Sequence, residues 1–201
     1  NGVIWEQTVE KTAEDLVYIP GHALVACSFA SYMGIFTREY RERATVLFAA
    51  FLEERGVPVS AGADPLADLS TESEQARWCS KGLPRDRVSL ENGAIINNSE
   101  RWCLIIDPQM QGNVWIKRKE EENKLQITRM GHSKMLNVFE HCIKDGLSVL
   151  IENMGESIDA VIMPVVARST ILRGGRRTLK LGDKELRYHD NFRLFMQTKL
   201  S

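Results

Sequence analysis

The chain has 201 residues, a net charge of -1 and a composition that is 43% apolar and 26% charged. These values predict one globular domain, or one domain with an appendage, and they give no general attraction to nucleic acid or to an anionic membrane. We find no apolar run of about 18 residues and no signal peptide, so no membrane segment is expected. The four cysteines lack zinc-ligand spacing, and we expect buried thiols. The chain starts without Met, which suggests a fragment of a longer protein.

Residues 1–56 are predicted to be helical. Residues 1–19 start polar, with Trp5, Val9 and Leu16 spaced as one helical stripe. The Pro20-Gly21 pair should interrupt this pattern before a buried helix that ends near Gly34. A second amphipathic helix should start at Thr37, with a packing stripe of Tyr40, Ala44, Leu47, Phe48 and Phe51. Residues 57–77 are rich in Ser, Ala, Asp and Pro and are predicted to be a linker loop.

Residues 78–201 are predicted to alternate between strands and helices, as in an α/β fold with a parallel sheet flanked by helices. The expected extended segments are 93–99, 101–107, 125–129, 148–152 and 192–198. Helices are expected at 113–124, after Ser133 up to Gly146, and around 159–168. The Gly182-Asp183 pair predicts a β-hairpin, which we interpret as an insert in the α/β subdomain.

One strand–turn–helix lies where a nucleotide-binding loop belongs. The working pattern is G-x-x-x-x-G-K-[ST], and the eight positions here are Asp107, Pro108, Gln109, Met110, Gln111, Gly112, Asn113 and Val114. Gly112 keeps the second glycine, whereas Asn113 replaces the phosphate-binding lysine and Val114 replaces the Mg²⁺-binding hydroxyl. Asp107 adds negative charge beside the expected phosphates, although amides at the helix start could still bind an anion weakly.

The second catalytic strand is altered in the same way. A working site ends this strand in an Asp for Mg²⁺ and a Glu that activates water, and Glu152 and Asn153 stand at those places. Glu152 could still reach a metal ion, but Asn153 cannot act as a general base. From spacing alone, a degenerate nucleotide site and an unrelated strand–turn–helix are about equally good interpretations.

Longer motifs resemble the fifth AAA+ module of dynein heavy chains, over about residues 22–201. The family segment GLP-x-D-x-x-S-x-EN-x-II, followed by RWPL-x-IDPQ-x-QA-x-x-WIK, is matched by "GLPRDRVSLENGAII" and "RWCLIIDPQMQGNVWIK". Further matches are "SYMGIFTREYR", "SVLIENMGESIDAVIMPVV" and "GGRRTLKLGDKELRYHDNFRLFMQTKL". The chain departs from the family at Cys103, Met110, Ala160 and Gln197. The "LEN-x-GE" and "TKL" forms resemble axonemal dyneins.

The resemblance implies the large subdomain of a P-loop NTPase (AAA+) module without catalytic residues, truncated before its last strand and its small subdomain. Residues 1–19 would be the base of a stalk helix, and the module would relay motion between an ATPase ring and a microtubule-binding stalk. Implied partners are neighbouring modules and the stalk of the same chain, other dynein subunits and, indirectly, microtubules, in the axoneme of a cilium or flagellum. Neither nucleic acid nor membrane is expected as a partner, and neither nucleotide nor metal as a cofactor. The alternatives are a nucleotide-binding sensor and an active ATPase.

Three smaller features complete the sequence analysis. Trp102 and Trp115 flank the loop and are predicted to fill the space of a former nucleotide pocket. By the resemblance, Lys199 stands at the position of a polar sensor residue, but we interpret it as a surface lysine. The stretch from Arg173 to Arg177 is interpreted as a glycine turn with solvated arginines, and not as a phosphate or RNA contact.

Overall fold

The computed structural model describes residues 2–200, with side chains described from Leu16 onward. The chain divides into two compact units. The first contains the residues up to Arg77 together with Arg85–Ser99, and the second contains Trp78–Pro84 together with the residues from Glu100 onward. This division differs from the predicted boundaries, because 85–99 belongs with the helical segment and 78–84 with the α/β part.

The first unit is helical. Its elements are α1 (Gly2–Tyr32), a 3-10 turn (Met33–Ile35), α2 (Arg38–Glu53), α3 (Pro65–Leu69), most of α4 (Glu72–Ser80) and α5 (Arg87–Asn98). Helix α1 runs through Pro20 without ending, contrary to the predicted interruption. Gly21 has a packing role instead, since a Cβ there would lie 2.2 Å from the carbonyl oxygen of Pro58. Of the predicted first stripe, Leu16 is exposed, and Trp5 and Val9 lie outside the described side chains.

Two further predictions for this unit were wrong. The supposed linker 57–77 contains α3 and most of α4, because the Asp64 carboxylate caps α3 and Leu66 is buried. The supposed extended segment 93–99 is part of α5. Asp86 begins that helix by accepting a hydrogen bond from the Ser89 N–H at 2.9 Å. Buried Glu91, Ala94 and Ile95 then follow at helical spacing.

The α2 stripe is more exposed than the sequence predicts. Phe48 is half-buried and packs on the core of this unit, Val25, Leu52 and Val59. Tyr40, Leu47 and Phe51 are 57%, 69% and 45% exposed. In the described part of the chain, the stripe is therefore a mostly solvent-facing surface and only its Phe48 side reaches the core.

The sequence prediction that the chain has no segment of membrane-spanning length was wrong. Leu16–Ile35 is long and apolar enough to span a membrane by length and composition. The sequence analysis missed it because Pro20, Gly21 and His22 interrupt the apolar run. A single such segment is weak grounds for a membrane span, since core helices meet the same criteria. Four of its residues, Val25, Ala26, Phe29 and Ala30, are buried within this unit.

The second unit is built on a parallel four-stranded sheet with strand order β1-β7-β3-β2. The strands are β1 (Leu104–Ile106), β2 (Gln126–Thr128), β3 (Ser148–Ile151) and β7 (Arg193–Thr198). The helices are α6 (Gln111–Lys119), α7 (Met135–Asp145) and α8 (Met163–Val166), the last preceded by a 3-10 turn at Ala160–Ile162. The α/β fold with an AAA+-like parallel sheet is thus confirmed.

The core of this unit lies between the central strands and α7. Phe139, Ile143, Val149 and Leu194 are almost fully buried there. Strand β1 pairs only with β7 in the described chain, so Leu104 and Ile106 are exposed although the sequence predicted a buried strand. Helix α7 ends at the left-handed Gly146 as predicted, but Lys134 and not Ser133 is its N-cap residue.

The predicted hairpin is part of a second, three-stranded antiparallel sheet with order β4-β5-β6. Its strands are β4 (Thr170–Arg173), β5 (Arg176–Leu181) and β6 (Lys184–Arg187). Gly174 and Gly175 both have positive φ and form the turn between β4 and β5. Strand β4 was missed because only the alternation around Gly182 gave a hairpin signal.

The cysteines are free thiols, but only Cys142 is buried as predicted. Burial, together with the nearby charge of Asp145, raises its pKa to about 11. Cys27 is exposed and Cys79 is half-buried. The apolar surroundings of Cys142 make it an inert packing residue.

Candidate functional site

The predicted loop lies at the carboxyl end of the parallel sheet, where α/β folds place their ligands. Strand β1 ends at Ile106, the chain turns through Pro108 and Gln109, and α6 begins at Gln111. The turn closes through Met110, which has a φ of 61° in the left-handed region. The strand–turn–helix arrangement expected from the sequence is therefore present.

Asp107 is the residue around which this loop is organised. One carboxylate oxygen accepts a hydrogen bond from the Gln111 N–H at 3.0 Å, and the other accepts one from the Asn113 N–H at 2.8 Å. Both donors belong to the first turn of α6, whose amide groups have no partner within the helix. The Asp107 side chain is buried, and its own backbone N–H donates to Thr198 of β7. The carboxylate is thus fixed against the start of α6.

Asn113, at the position where the working loop pattern has lysine, is turned toward Glu152 at the end of β3. Its side chain is 1% exposed, and its Nδ2 donates to the Oε1 atom of Glu152 at 3.1 Å. The Asn113 Oδ1 atom is buried without a hydrogen-bond partner in the described chain. The two altered positions, predicted from separate motifs, therefore contact each other directly.

Glu152 is neutralised by cations from the same unit. The Lys117 Nζ lies 2.6 Å from Oε1, and the Arg129 guanidinium lies 3.7 Å from Oε2. Burial by itself would raise the pKa of Glu152. Hydrogen bonds from Lys117 and Asn113, with the charges of Lys117 and Arg129, outweigh burial and hold this pKa below its usual value. Glu152 is therefore an ionised partner in an internal ion pair.

Gln197 joins the two loops, and the sequence analysis treated it only as a departure from the family pattern. Its side chain is fully buried in β7, with Nε2 donating to the Asp107 carbonyl oxygen at 3.2 Å. Its Oε1 accepts from the Asn153 N–H at 2.9 Å. Lys199, which the resemblance placed at a sensor position, is exposed two residues further on. A polar residue inside the apolar run of β7 was the signal that could have identified Gln197.

The other predicted site residues surround this cluster without joining it. Those with exposed side chains are Pro108, Gln109, Gln111, Val114 and Asn153. Asn153 has a φ of 53°, so it closes the turn after β3 with its backbone. Gly112 lies under Asp107, since a Cβ there would be 3.4 Å from Oδ2. Among the described residues, no group of three or more His, Cys, Asp or Glu side chains is placed to hold a metal ion.

Comparison with known proteins gives the family of the chain. Residues 76–201 match the model of the family described as "ATP-binding dynein motor region". The chain belongs to this dynein family. It is 48% identical over 201 residues to the dynein alpha chain of the flagellar outer arm of Chlamydomonas reinhardtii. It is 42% identical over 202 residues to a ciliary dynein beta chain of Tripneustes gratilla, and 40% identical over 198 residues to human dynein axonemal heavy chain 17.

These matches cover 100%, 99% and 97% of the present chain, respectively, but only 4% of each relative. The chain thus corresponds to a small part of a dynein heavy chain. All three relatives are named as flagellar, ciliary or axonemal dyneins, in agreement with the subtype that the motifs predicted.

Two of the dynein motifs meet inside the helical unit. Arg41, from "SYMGIFTREYR", donates to Glu91 at 3.1 Å and to Asn92 at 2.8 Å, both from the "EN" pair. It also donates to the carbonyl oxygens of Gly34 and Phe36. The sequence analysis read these motifs only as a family signature, and the structure assigns them a packing role.

Trp102 and Trp115, which flank the loop after β1, pack against different aromatic side chains. Trp115 on α6 is 1% exposed and meets Trp78 edge to face, with ring centroids 6.3 Å apart. Trp102 packs on Phe192, and the Arg168 guanidinium lies 3.6 Å above its ring. The arginines of the glycine turn form surface pairs, Arg173 with Glu185 and Arg177 with Asp190. The turn interpretation of that stretch is therefore confirmed.

Proposed function

We propose that this chain is the large subdomain of the fifth AAA+ module of an axonemal dynein heavy chain and that it acts as a non-catalytic structural part. In this proposal, nucleotide-driven movements elsewhere in the heavy chain are transmitted through this module to a microtubule-binding stalk. Its partners are the neighbouring AAA+ modules and the stalk of the same chain, other dynein subunits and, indirectly, the microtubule. The match to axonemal relatives over nearly the whole chain supports the axoneme as its location.

One observation carries the non-catalytic part of the proposal: two amides at the start of α6 and the acidic residue after β3 are engaged inside the protein. The Gln111 and Asn113 amides bind Asp107, and Glu152 binds Asn113 and Lys117. Val114 offers no oxygen to Mg²⁺. A water-activating carboxylate needs a free oxygen near the attacking water, and the nearest candidate is held in an ion pair.

The hydrogen bonds that close the site support the proposed transmitting role. Gln197 links the loop after β1 to the turn after β3, and Thr198 Oγ1 donates to the Met154 carbonyl oxygen at 2.7 Å. In a nucleotide-driven module these two segments must respond to bound phosphate. Here they are tied together by buried side chains, as suits a part that moves as a block.

Isothermal calorimetry of the chain with ATP and Mg²⁺, combined with a phosphate-release assay, tests the proposal. We expect no heat of binding up to millimolar ATP and no phosphate release above the buffer rate. Submillimolar binding without turnover would instead establish the sensor alternative. Phosphate release that Glu152→Gln abolishes, while Glu156→Gln leaves it unchanged, would establish the ATPase alternative.

A further inference from the structure

The first turn of α6 is an anion-binding arrangement that is already filled. The N-terminus of a helix carries partial positive charge and unpaired N–H groups, which is why loops of this kind hold phosphate. Here the two oxygens of the Asp107 carboxylate take the amides of Gln111 and Asn113 at 3.0 and 2.8 Å. One carboxylate therefore bridges two donors of the turn, as a phosphate group would.

We propose that Asp107 is an internal substitute for phosphate, which occupies the anion site of the loop and closes it to external anions. The inference rests on the proposed non-catalytic function and adds a physical cause for it. Loss of the lysine weakens phosphate binding, whereas a built-in carboxylate blocks the site. The class of ligand excluded is the phosphate group, free or as part of a nucleotide.

The position of Gly112 supports this assignment. In working loops the second glycine lets the backbone approach the phosphate closely. In this chain Gly112 lies beside the side chains of Ile105 and Asp107, since a Cβ there would be 3.3 Å from Ile105 Cγ2 and 3.4 Å from Asp107 Oδ2. The Asp107 carboxylate therefore lies within contact distance of the glycine of the loop.

The backbone holds this internal ligand in place from both sides. The Asp107 N–H donates to the Thr198 carbonyl oxygen at 2.9 Å, and the Asp107 carbonyl oxygen accepts from Gln197 at 3.2 Å. Both partners lie on β7, the strand next to β1. The backbone of Asp107 is thus fixed next to α6 by β7, and the carboxylate itself is held by the amides of Gln111 and Asn113.

The charge balance also opposes an external anion. Lys117, one turn along α6, lies 2.6 Å from Glu152, so its charge is already paired. An anion that approached the first turn of α6 would meet the negative charge of Asp107 with no free cation from this pair. Removing that carboxylate should therefore restore anion binding to the two amides.

An ordinary capping role makes a different prediction from an internal ligand. When an aspartate only caps a helix, its replacement lowers the stability of the protein and does not change anion binding. Asp86 is such a residue, since it caps α5 through the Ser89 N–H at 2.9 Å without a loop of this kind. Asp86→Ala is therefore the matched control for Asp107→Ala.

The test is a titration with inorganic phosphate, followed by the ¹⁵N–¹H NMR signals of Gln111 and Asn113, with chloride at matched ionic strength as reference. We expect Asp107→Ala to bind phosphate at least tenfold more tightly than the unaltered chain, with saturating shifts at these two amides. The unaltered chain and Asp86→Ala should show no saturation. Equal binding by the unaltered chain, or no binding by a folded Asp107→Ala variant, would overturn the inference.

Asp107→Asn covers the case in which the alanine variant does not fold. Its side chain keeps the size of aspartate but has an NH₂ group in place of one oxygen, so the amide that faced that oxygen loses its acceptor. We expect phosphate to shift one of the two signals, and no phosphate-induced shift in the folded variant contradicts the proposal. ATP binding by the unaltered chain in calorimetry would refute the proposed function. Failure of the Asp107 variants alone would refute only the internal ligand.

Discussion

Arg41 should be the side chain whose loss most destabilises the helical unit. It is 3% exposed and ion-paired with Glu91, which is itself 4% exposed. It also donates to Asn92 and to the carbonyl oxygens of Gly34 and Phe36. Arg41→Met would leave these acceptors without their donor inside the protein. Removing one partner of a buried ion pair costs about 3–5 kcal/mol, because the remaining charge is uncompensated.

Glu91 keeps a second cation, Arg87, which limits the loss of unfolding free energy in Arg41→Met. Arg87 still donates to the other Glu91 oxygen at 2.7 Å after the change, so the carboxylate keeps one cation. The other three acceptors belong to the exposed residues Gly34, Phe36 and Asn92, so water can replace the lost donor there. We therefore expect a loss at the lower end of the range, about 3 kcal/mol in the free energy of unfolding. For a chain of this size, each kcal/mol lowers Tm by roughly 2–4 °C.

The assay is urea unfolding followed by circular dichroism, with a matched control on the same helix. Arg38 pairs with Glu42 at 2.7 Å, but the two side chains are 61% and 59% exposed. Such exposed pairs contribute about 0.2–1 kcal/mol, so Arg38→Met should change the free energy of unfolding little. If Arg41→Met and Arg38→Met destabilise equally, the buried network does not hold this unit together and the reasoning fails.

Two further predictions concern the α/β unit. Trp115→Ala should lower the free energy of unfolding by about 3–5 kcal/mol by leaving a large cavity, whereas the half-exposed Val114→Ala should cost far less in the same urea assay. The lowered pKa of Glu152 means that its ionised form stabilises the fold above the unfolded-state pKa, and this stability is lost as the pH falls through the folded-state value. Lys117→Met should therefore destabilise the chain at pH 7, with a difference that shrinks toward pH 3. A difference that is constant with pH would contradict this account.

The sequence was most informative where hydrophobic pattern and turn chemistry agree. Strand β3 and helix α7 were located correctly because an apolar run, a helical stripe and Gly146 all indicate the same boundaries. The prediction failed where packing overrides local signals. Pro20 does not end α1, since a proline removes one helical hydrogen bond while the flanking turns can still continue the helix. Segment 93–99 contains isoleucines typical of strands but follows the Asp86 cap within one helix.

At the candidate site, too, the sequence predicted some features and missed others. The sequence identified Asp107, Asn113 and Glu152 by their departures from working motifs, and the structure brings all three into one hydrogen-bonded cluster. The sequence could not predict the direction in which each of these side chains points. Gln197 was read as a minor departure because its neighbours across the sheet are set by the β1-β7-β3 strand order, a non-local feature.

If the proposed function is correct, the cluster explains how the fold remains stable without a bound nucleotide. An empty loop of this kind would leave the amides of Gln111 and Asn113 unpaired, and a buried acidic residue on the second strand without a cation. Both costs are offset by side chains of the chain itself, Asp107 for the amides and Lys117 for Glu152. In the proposed role, the chain itself therefore supplies the pairing that a bound ligand would otherwise supply. Asp107 and Lys117 should for this reason matter to stability even though neither serves ATP hydrolysis in the proposed role.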